Sequence, residues 1–430
     1  MKANIPEVEK NRIVVIGGGF GGLTLAFKLV KTNYQIVLID KHNYHMFQPL
    51  FYQVATAGLE PSAISFPFRK AFQSKQNIHI RITEVLRIEP ENKRVITNVG
   101  IVNYDYLVIA VGATTNFFGN ELIQEKSFPM KSISEALGLR NAILQNFENM
   151  LISEDPDEKE GMMNFVVVGG GPTGVETSGA LAEMKRFVLP KDYPEIDFSR
   201  MNIYLIEFSP KLLKEMSGIS SAKAHEYLTK LGVIVKLNTA VNNYDGRMVT
   251  LNNGTSIRCD TLIWAAGVKG NATKGINHES KGRADRLIVD QMNKVKGYTD
   301  IYAIGDIALM SIDKYPNGHP QVAQVAIQQA TNVALNFRNM AKGKPAEPFV
   351  YKDLGSMATV GRNLAVVDLT FVKFQGFFAW LVWMFIHLKS ILGVKNKLLT
   401  FINWFWSYVT YDQSLRLIIK PKSKPKKNMK

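Results

Sequence analysis

Two glycine turns, each followed by an acid, carry the most readable chemistry in this chain. The first is Gly17-Gly18-Gly19-Phe20-Gly21-Gly22, which fits G-x-G-x-x-G at Gly17, Gly19 and Gly22. The second is Gly169-Gly170-Gly171-Pro172-Thr173-Gly174, in register at Gly169, Gly171 and Gly174. This spacing suits a pyrophosphate. One glycine makes the tight turn, one admits the phosphate to the backbone, and one lets a helix pack closely on a strand. The helix N-terminus then offers N–H groups and the positive end of its dipole. Asp40 follows the first turn and Glu207 the second, each placed to bind a ribose hydroxyl pair. A carboxylate there repels a 2′-phosphate, and Phe208-Ser209-Pro210 brings no arginine, so the second site favours NADH over NADPH.

A single such turn can exist without a ligand. Two in one chain, each after a strand, before a helix and ahead of an acid, point to one flavin and one nicotinamide. FAD then accepts the hydride while the protein positions it. Gly305-Asp306 is a candidate later flavin contact, with Asp306 meeting the ribityl chain; alone, it also reads as a strand-end turn with an Asx cap.

The elements that must hold these turns follow from the apolar runs. Arg12–Ile16, Tyr34–Ile39 and Tyr106–Val111 read as buried strands, with a helix at Leu23–Val30. Phe165–Val168 and Ile203–Ile206 repeat the pattern, joined by a helix running to about Val188. The repetition indicates an internal duplication of a nucleotide-binding unit. Leu262–Trp264 and Ile301–Ile304 read as further strands and Ala323–Met340 as a helix, while the stretch 151–161 is acidic and belongs on the surface.

The chain has 430 residues, 46% hydrophobic and 21% charged, which is globular composition with room for two or three domains. Cys259 is the only cysteine, so no intrachain disulfide or redox-active cysteine pair exists, which fits a reducing compartment. The seven histidines show no metal-ligand spacing, so no metal is expected. Met1–Arg12 lacks the apolar core of a signal peptide. The net charge is +15, which suits nucleic acid or an anionic membrane. Its distribution favours the membrane. Residues 373–430 hold eleven Lys or Arg against Asp412, a net of +10 beside Trp380, Trp383, Trp404 and Trp406.

Several stretches resemble one family. They are Phe47-Gln48-Pro49-Leu50, Tyr52-Gln53-Val54-Ala55-Thr56, Gly112-Ala113-Thr114-Thr115-Asn116-Phe117-Phe118-Gly119, Leu262-Ile263-Trp264-Ala265-Ala266-Gly267-Val268, and Pro320 to Gln328. Together they are similar to the type II NADH:quinone oxidoreductases, single-subunit NADH dehydrogenases that pump no protons. The resemblance runs from about Arg12 into the C-terminal region, and A-Q-x-A-x-Q at Ala323–Gln328 is its most specific piece.

The resemblance implies an α/β fold of two Rossmann-like domains, the FAD domain split around an inserted NADH domain. A C-terminal helical membrane-anchoring module follows. The expected boundaries are 10–120 and 283–355 for FAD, 121–282 for NADH and 356–430 for the membrane region. One non-covalent FAD per chain would meet Gly17, Gly19, Phe20, Gly21, Gly22, Asp40, Lys41, Gln48, Gly112, Gly305, Asp306, Ala323 and Gln324. Val85 would reach the adenine through its backbone, though it is equally an ordinary strand residue. NADH would meet Gly169, Gly171, Pro172, Thr173, Gly174, Glu207, Ala266 and Gly267. Gln324 and Gln328 match the family's quinone-site glutamines, and their i,i+4 spacing lets both face one ligand. Glu176 matches a carboxylate tied to proton delivery near the flavin, although an acid in a first helical turn is also favoured by the macrodipole.

At the C-terminus, Phe374–Leu388 is an uncharged run shorter than the ~20 apolar residues a span needs, unless it continues through Lys389 to Val394. Leu398–Tyr411 has a narrow polar stripe at Thr400, Asn403, Ser407, Thr410 and Ser414 on an otherwise apolar, Trp-rich surface. Flanked by Lys395, Lys397, Arg416 and the terminal lysines, this suits monotopic attachment to an anionic surface; a buried core or dimer-contact helix is the alternative. The expected enzyme therefore works on the cytoplasmic face of the cell membrane, with quinone as acceptor, a homodimer allowed and no nucleic acid bound. Sulfide:quinone and disulfide reductases of this fold need a cysteine pair that the chain lacks. A soluble ferredoxin-type reductase would leave the apolar C-terminus unexplained. An NADH-sensing flavoprotein acting through partners is the non-enzymatic alternative.

Overall fold

The computed structural model describes residues 3–271, 274–412 and 415–419. The stripe residue Ser414 and the terminal lysines from Lys420 on lie outside these. The chain divides into two units. One takes the chain up to Met46, then Ser65–Asn116 and Val268–Leu354; the other takes Phe47–Ile64, Phe117–Gly267 and the chain from Gly355 on.

The first unit is built on a parallel five-stranded sheet ordered Ile301–Ala303, Tyr106–Ile109, Arg12–Ile16, Gln35–Asp40, Ile78–Ile82. The inner strands are nearly continuous apolar runs because both faces are covered, with Arg12–Ile16 buried throughout, whereas the edge strand Ile78–Ile82 alternates. Between the third and fourth strands in sequence, the chain inserts an antiparallel ribbon of Val85–Glu89, Arg94–Thr97 and Gly100–Asn103. Ile88, Val95 and Val102 of that ribbon join the core of Val14, Val37 and Ile301. The Phe20–Leu29 helix packs along the Ala323–Met340 helix.

The second unit repeats this plan. Its parallel sheet is ordered Phe128–Pro129, Thr261–Trp264, Asn164–Val168, Asn202–Ile206, Val233–Lys236. The matching antiparallel ribbon is Val241–Tyr244, Met248–Leu251 and Ser256–Arg258. The duplication thus includes a ribbon that no fingerprint marks. In both sheets the strand before the glycine turn is central, with its sequence successor on one side and a later strand on the other. That switch point is where a ligand crevice opens in such sheets.

Some elements differ from the sequence reading. The first fingerprint helix begins at Phe20, because Gly19 already serves as its N-cap. The second runs Pro172–Glu183 and then winds wide as a π turn over Met184–Val188. The acidic stretch includes a helix, Pro156–Met163, which Asp155 caps by accepting from the Asp157 N–H and which Pro156 starts.

The C-terminal part of the second unit is a three-stranded antiparallel sheet, Ser356–Gly361, Leu364–Asp368 and Lys373–Gln375, followed by helices Phe377–Ser390 and Val394–Thr410. Ala379 packs on Ala365 and Val367. Only Ala379 and Trp383 are buried on the first helix, and only Asn396 and Thr400 on the second. The polar stripe thus turns toward protein and the apolar majority turns outward, with Phe378, Phe385, Leu398, Ile402, Phe405 and Trp406 exposed. Among the described residues, no helix is long and apolar enough to cross a membrane.

Candidate functional site

Each unit forms a dinucleotide crevice in the same way. Gly17 and Gly169 take positive φ, +100° and +109°, which glycine adopts without strain. Their N–H groups donate to Ile39 O and Ile206 O, both at 2.8 Å. The second fingerprint glycines, Gly19 and Gly171, face open space: a Cβ built on either would meet nothing within 4 Å. The third glycines are crowded. A Cβ on Gly22 would lie 1.9 Å from Gly17 O, and one on Gly174 would lie 1.8 Å from Gly169 O. Open backbone at the second position and a tight strand–helix crossing at the third are what a pyrophosphate cradle requires.

The acids and the far wall are duplicated too. Asp40 accepts from the Gly18 N–H at 2.7 Å and the His42 N–H at 2.8 Å. Glu207 accepts from the Gly170 N–H and, at 2.6 Å, from the Ser209 N–H. Opposite them, the backbone of Ala110 and Val111 crowds Gly17, and that of Ala265 and Ala266 crowds Gly169. The glycines that follow, Gly112 and Gly267, again have positive φ. The residues of both crevices therefore fit dinucleotides.

In the first unit, Gly305 and Asp306 form a single 3₁₀ turn after Ile301–Ala303. The Gly305 N–H donates to the buried Gln329 side chain at 2.7 Å, and the Gln321 amide donates to Asp306 O at 3.1 Å. Gln329 carries no mark in the sequence, where it looks like one more polar helix residue. Ala323 and Gln324 open the same helix, and Gln328 lies one turn on. The Gln328 amide exchanges hydrogen bonds with the Lys352 backbone, donating at 2.9 Å and accepting at 3.0 Å. Lys41 is exposed beside Asp40, and Val85 opens the inserted ribbon, half-buried.

The second unit places Gln48 on an exposed 3₁₀ turn and Glu176 on the buried face of the Pro172–Glu183 helix. Glu176 is 8% exposed and lines a cavity of ≈ 100 Å³ with Tyr52, Glu183, Thr359, Arg362 and Trp383. Its Oε1 accepts a long hydrogen bond, 3.4 Å, from the Thr359 N–H. Burial pushes the Glu176 carboxyl up to about 8, with Thr359 and the Trp383 indole holding it back. The indole Nε1 does so from outside ordinary hydrogen-bond geometry. Burial also raises Glu183, against the opposing pull of Arg362. Tyr52 is raised well above its usual value by burial and by both carboxyls.

The chain from residue 11 to 330 matches the pyridine nucleotide-disulphide oxidoreductase family, and residues 354–410 match the NDH2 C-terminal domain. It is 35% identical over 417 residues to the type II NADH:quinone oxidoreductase Ndh of Mycobacterium tuberculosis, covering 94% of this chain and 89% of that protein. This chain belongs to the type II NADH:quinone oxidoreductases. The type II enzyme of Staphylococcus aureus is 29% identical over 368 residues, 83% of this chain and 89% of that one. The fold matches NDH2 of Plasmodium falciparum, solved in complex with NADH, at a TM-score of 0.87 and 24% identity, covering 96% of this chain and 100% of that one.

As a member of this family, the protein is an FAD-dependent NADH dehydrogenase that reduces quinone without pumping protons and associates with a membrane. The last two helices, which belong to the matched C-terminal domain, turn apolar faces outward. One tryptophan expected in the anchor is placed otherwise. Trp406 is 56% exposed, whereas Trp383 is 2% exposed and belongs to the core. Its ring stacks on His387 at 4.1 Å, and Trp404 lies 5.7 Å away. Trp380 and Trp404 are half-buried, and the Trp404 indole donates to Gln53 at 2.8 Å. Tyr52 and Glu183 are site residues that the sequence reading missed. A signal for Glu183 was present, since it falls seven residues after Glu176 and thus on the same helix face.

Proposed function

We propose that the crevice at Gly17–Gly22 and Asp40 holds FAD, that the crevice at Gly169–Gly174 and Glu207 takes NADH, and that Glu176 supplies a proton when quinone is reduced. The doubling of the crevice carries this reading, since one chain with two equivalent dinucleotide sites can pass a hydride from one nucleotide to the other. In domain terms, 10–120 and 283–355 serve FAD, 121–282 serves NADH and 356–430 serves the membrane.

Bound FAD supplies the two-electron chemistry that takes a hydride from NADH and reduces quinone. The protein's own residues orient and protonate. Asp40 and Glu207, fixed by backbone N–H groups, each keep acceptor capacity for ribose hydroxyls. The buried Glu176 carboxyl stays protonated at neutral pH and so can donate where a charged carboxylate could not. Gln324, on the helix that buttresses the Gly305 turn, is read as a hydrogen-bond donor to flavin or quinone. Gln328 shares its amide between that role and Lys352.

The basic, Trp-rich C-terminus is read as binding an anionic leaflet on the cytoplasmic face, with a homodimer allowed by the same module. The deciding experiment is steady-state NADH oxidation by detergent-purified protein, with short-chain naphthoquinone and benzoquinone acceptors and NADPH as control. Multiple turnover with NADH is expected. Slow, stoichiometric flavin reduction alone would instead indicate an NADH sensor.

A further inference from the structure

Quinone reduction by NADH needs one proton from water per turnover. The C–H bond of NADH gives two electrons and one hydrogen, and quinol gains two O–H bonds. A group as buried as Glu176 can give a proton once, but must then be refilled. The cavity that holds Glu176 holds a second carboxyl. Glu183 lies two helical turns further along the same face, about 10 Å along the axis. The cavity has room for several waters, which could bridge that distance.

The two carboxyls differ in access. Glu176 is buried as a whole residue, whereas Glu183 is half-buried, reaching solvent although its carboxyl is closely surrounded. Glu183 Oε1 accepts the backbone N–H of Arg362. The Arg362 guanidinium is engaged elsewhere, donating to Ser407 O at 2.7 Å and Tyr408 O at 3.0 Å and lying 3.7 Å from the Tyr411 ring centre. Among the described residues no cation is ion-paired with Glu183, and the pull of Arg362 on its proton affinity is outweighed by burial. The other titratable or charged groups lining the cavity are Tyr52, from the Phe51–Ala55 helix, and Tyr408, from the Val394–Thr410 helix. The π turn begins directly after Glu183, and such turns are common at functional sites.

We propose that Glu183 is the outer carboxyl of a two-carboxyl proton relay: it takes a proton from solvent and passes it through cavity water to Glu176, which delivers it to the reduced quinone. This rests on the reading of Glu176 as the proton donor. Each transfer breaks one O–H bond and forms another, and no electron moves in the relay.

The test uses Glu183→Gln in the full-length, FAD-loaded protein. Glutamine keeps an oxygen for the Arg362 N–H but cannot carry the proton. Rapid flavin reduction by NADH without quinone should be unchanged. Turnover with a short-chain quinone should fall about tenfold or more, most steeply on the alkaline side, and a small diffusible acid should restore it in Glu183→Gln while leaving wild type unaffected. Infrared difference spectra of wild type should show two protonated-carboxyl bands, one lost in Glu183→Gln and the other in Glu176→Gln. A wild-type pH profile in Glu183→Gln, with no rescue, would overturn the relay. If that variant does not hold FAD, a single wild-type band would overturn it equally. Loss of turnover in Glu176→Gln but not in Glu183→Gln would leave the Glu176 reading standing and remove this one. Unchanged turnover in both would remove both.

Discussion

The two nucleotide units share a sheet, an inserted ribbon, a crevice and an acid, yet the helices that follow their glycine turns have different surroundings. Two residues past the last fingerprint glycine, the first unit has Thr24 and the second has Glu176. Five residues past, they have Phe27 and Gly179; nine past, Lys31 and Glu183. In the first unit, Phe27 is exposed and Lys31 meets solvent. In the second, the Ser356–Gly361 strand packs along the helix, so closely that a Cβ on Gly179 would sit 1.7 Å from Val360 O. The same scaffold thus forms a dinucleotide-type crevice at one end in both units. The first helix, however, is covered by the Ala323–Met340 helix, and only the strand-covered helix of the second encloses carboxyls. The crevice belongs to the duplication, and the carboxyl-lined cavity belongs to the second unit.

The largest expected effect breaks the crevices one at a time. Gly22→Ala and Gly174→Ala each force a methyl into a backbone oxygen at under 2 Å, a cost of at least about 1–3 kcal/mol local to the turn. Gly22→Ala is expected to yield protein without flavin. Gly174→Ala is expected to keep the flavin absorbance while losing its bleaching by NADH. Loss of FAD in both variants would mean that the crevices do not have separate ligands.

Next is the pH response of the covered helix. Glu176 has its proton affinity raised, from 4.5 to about 8, so between those values the unfolded chain loses a proton that the folded one keeps. Stability therefore falls as pH rises through that window and levels off above about 8. Below about 4.5 the group is neutral in both states and contributes no pH dependence. Glu176→Gln removes the effect, so its thermal stability should overtake wild type across the window by up to a few kcal/mol. Thr24→Val, at the equivalent place in the first unit, should run parallel to wild type at every pH. A Glu176→Gln curve that also runs parallel would show that the carboxyl is hydrated in the folded protein.

Gly179→Ala tests the cover itself. The Val360 carbonyl must move, at about 1–3 kcal/mol in unfolding experiments, and quinone turnover should fall because Thr359 moves with it. Phe27→Ala, at the matching position, removes a ring that is 38% exposed and packs on Phe72, with no backbone forced to move, and should cost less.

The difference between units also explains what could be read in advance. The crevices were legible because their constraints are local: a glycine spacing, an apolar strand on each side and an acid at a strand end. Gly17 to Asp40 states all of that in sequence order. The inserted ribbons were not legible, since Val85–Glu89 and Val241–Tyr244 are short strands with no distinctive residues. The cavity was only half legible. Glu176 stood out by resemblance, but the partners that bury it, Tyr52, Thr359 and Trp383, come from segments far apart in the chain. Trp383 was grouped with the other C-terminal tryptophans because composition shows a cluster. Which ring faces inward depends on its register against Ala379, His387 and Trp404, and that register appears only once the strands beneath are in place.

The smallest expected effect asks whether the two acids do equivalent work. Both accept the N–H of the middle glycine in their turn, Gly18 for Asp40 and Gly170 for Glu207, and each uses its other oxygen on a residue two further on. In Glu207→Gln one side-chain oxygen remains to accept, so the turn should survive with NADH still bound. What changes is charge, which in wild type opposes a 2′-phosphate. The preference for NADH over NADPH, measured as the ratio of kcat/KM values, is expected to fall about tenfold, or ~1.4 kcal/mol. Most of that change should come from better use of NADPH. Asp40→Asn makes the same change in the first crevice and should leave the ratio untouched, weakening FAD retention instead. If Glu207→Gln lowers NADH use without improving NADPH, the carboxylate acts as a ribose ligand and a turn brace, and selection against the phosphate resides in the shape of the crevice around Phe208, which is 76% exposed beside it.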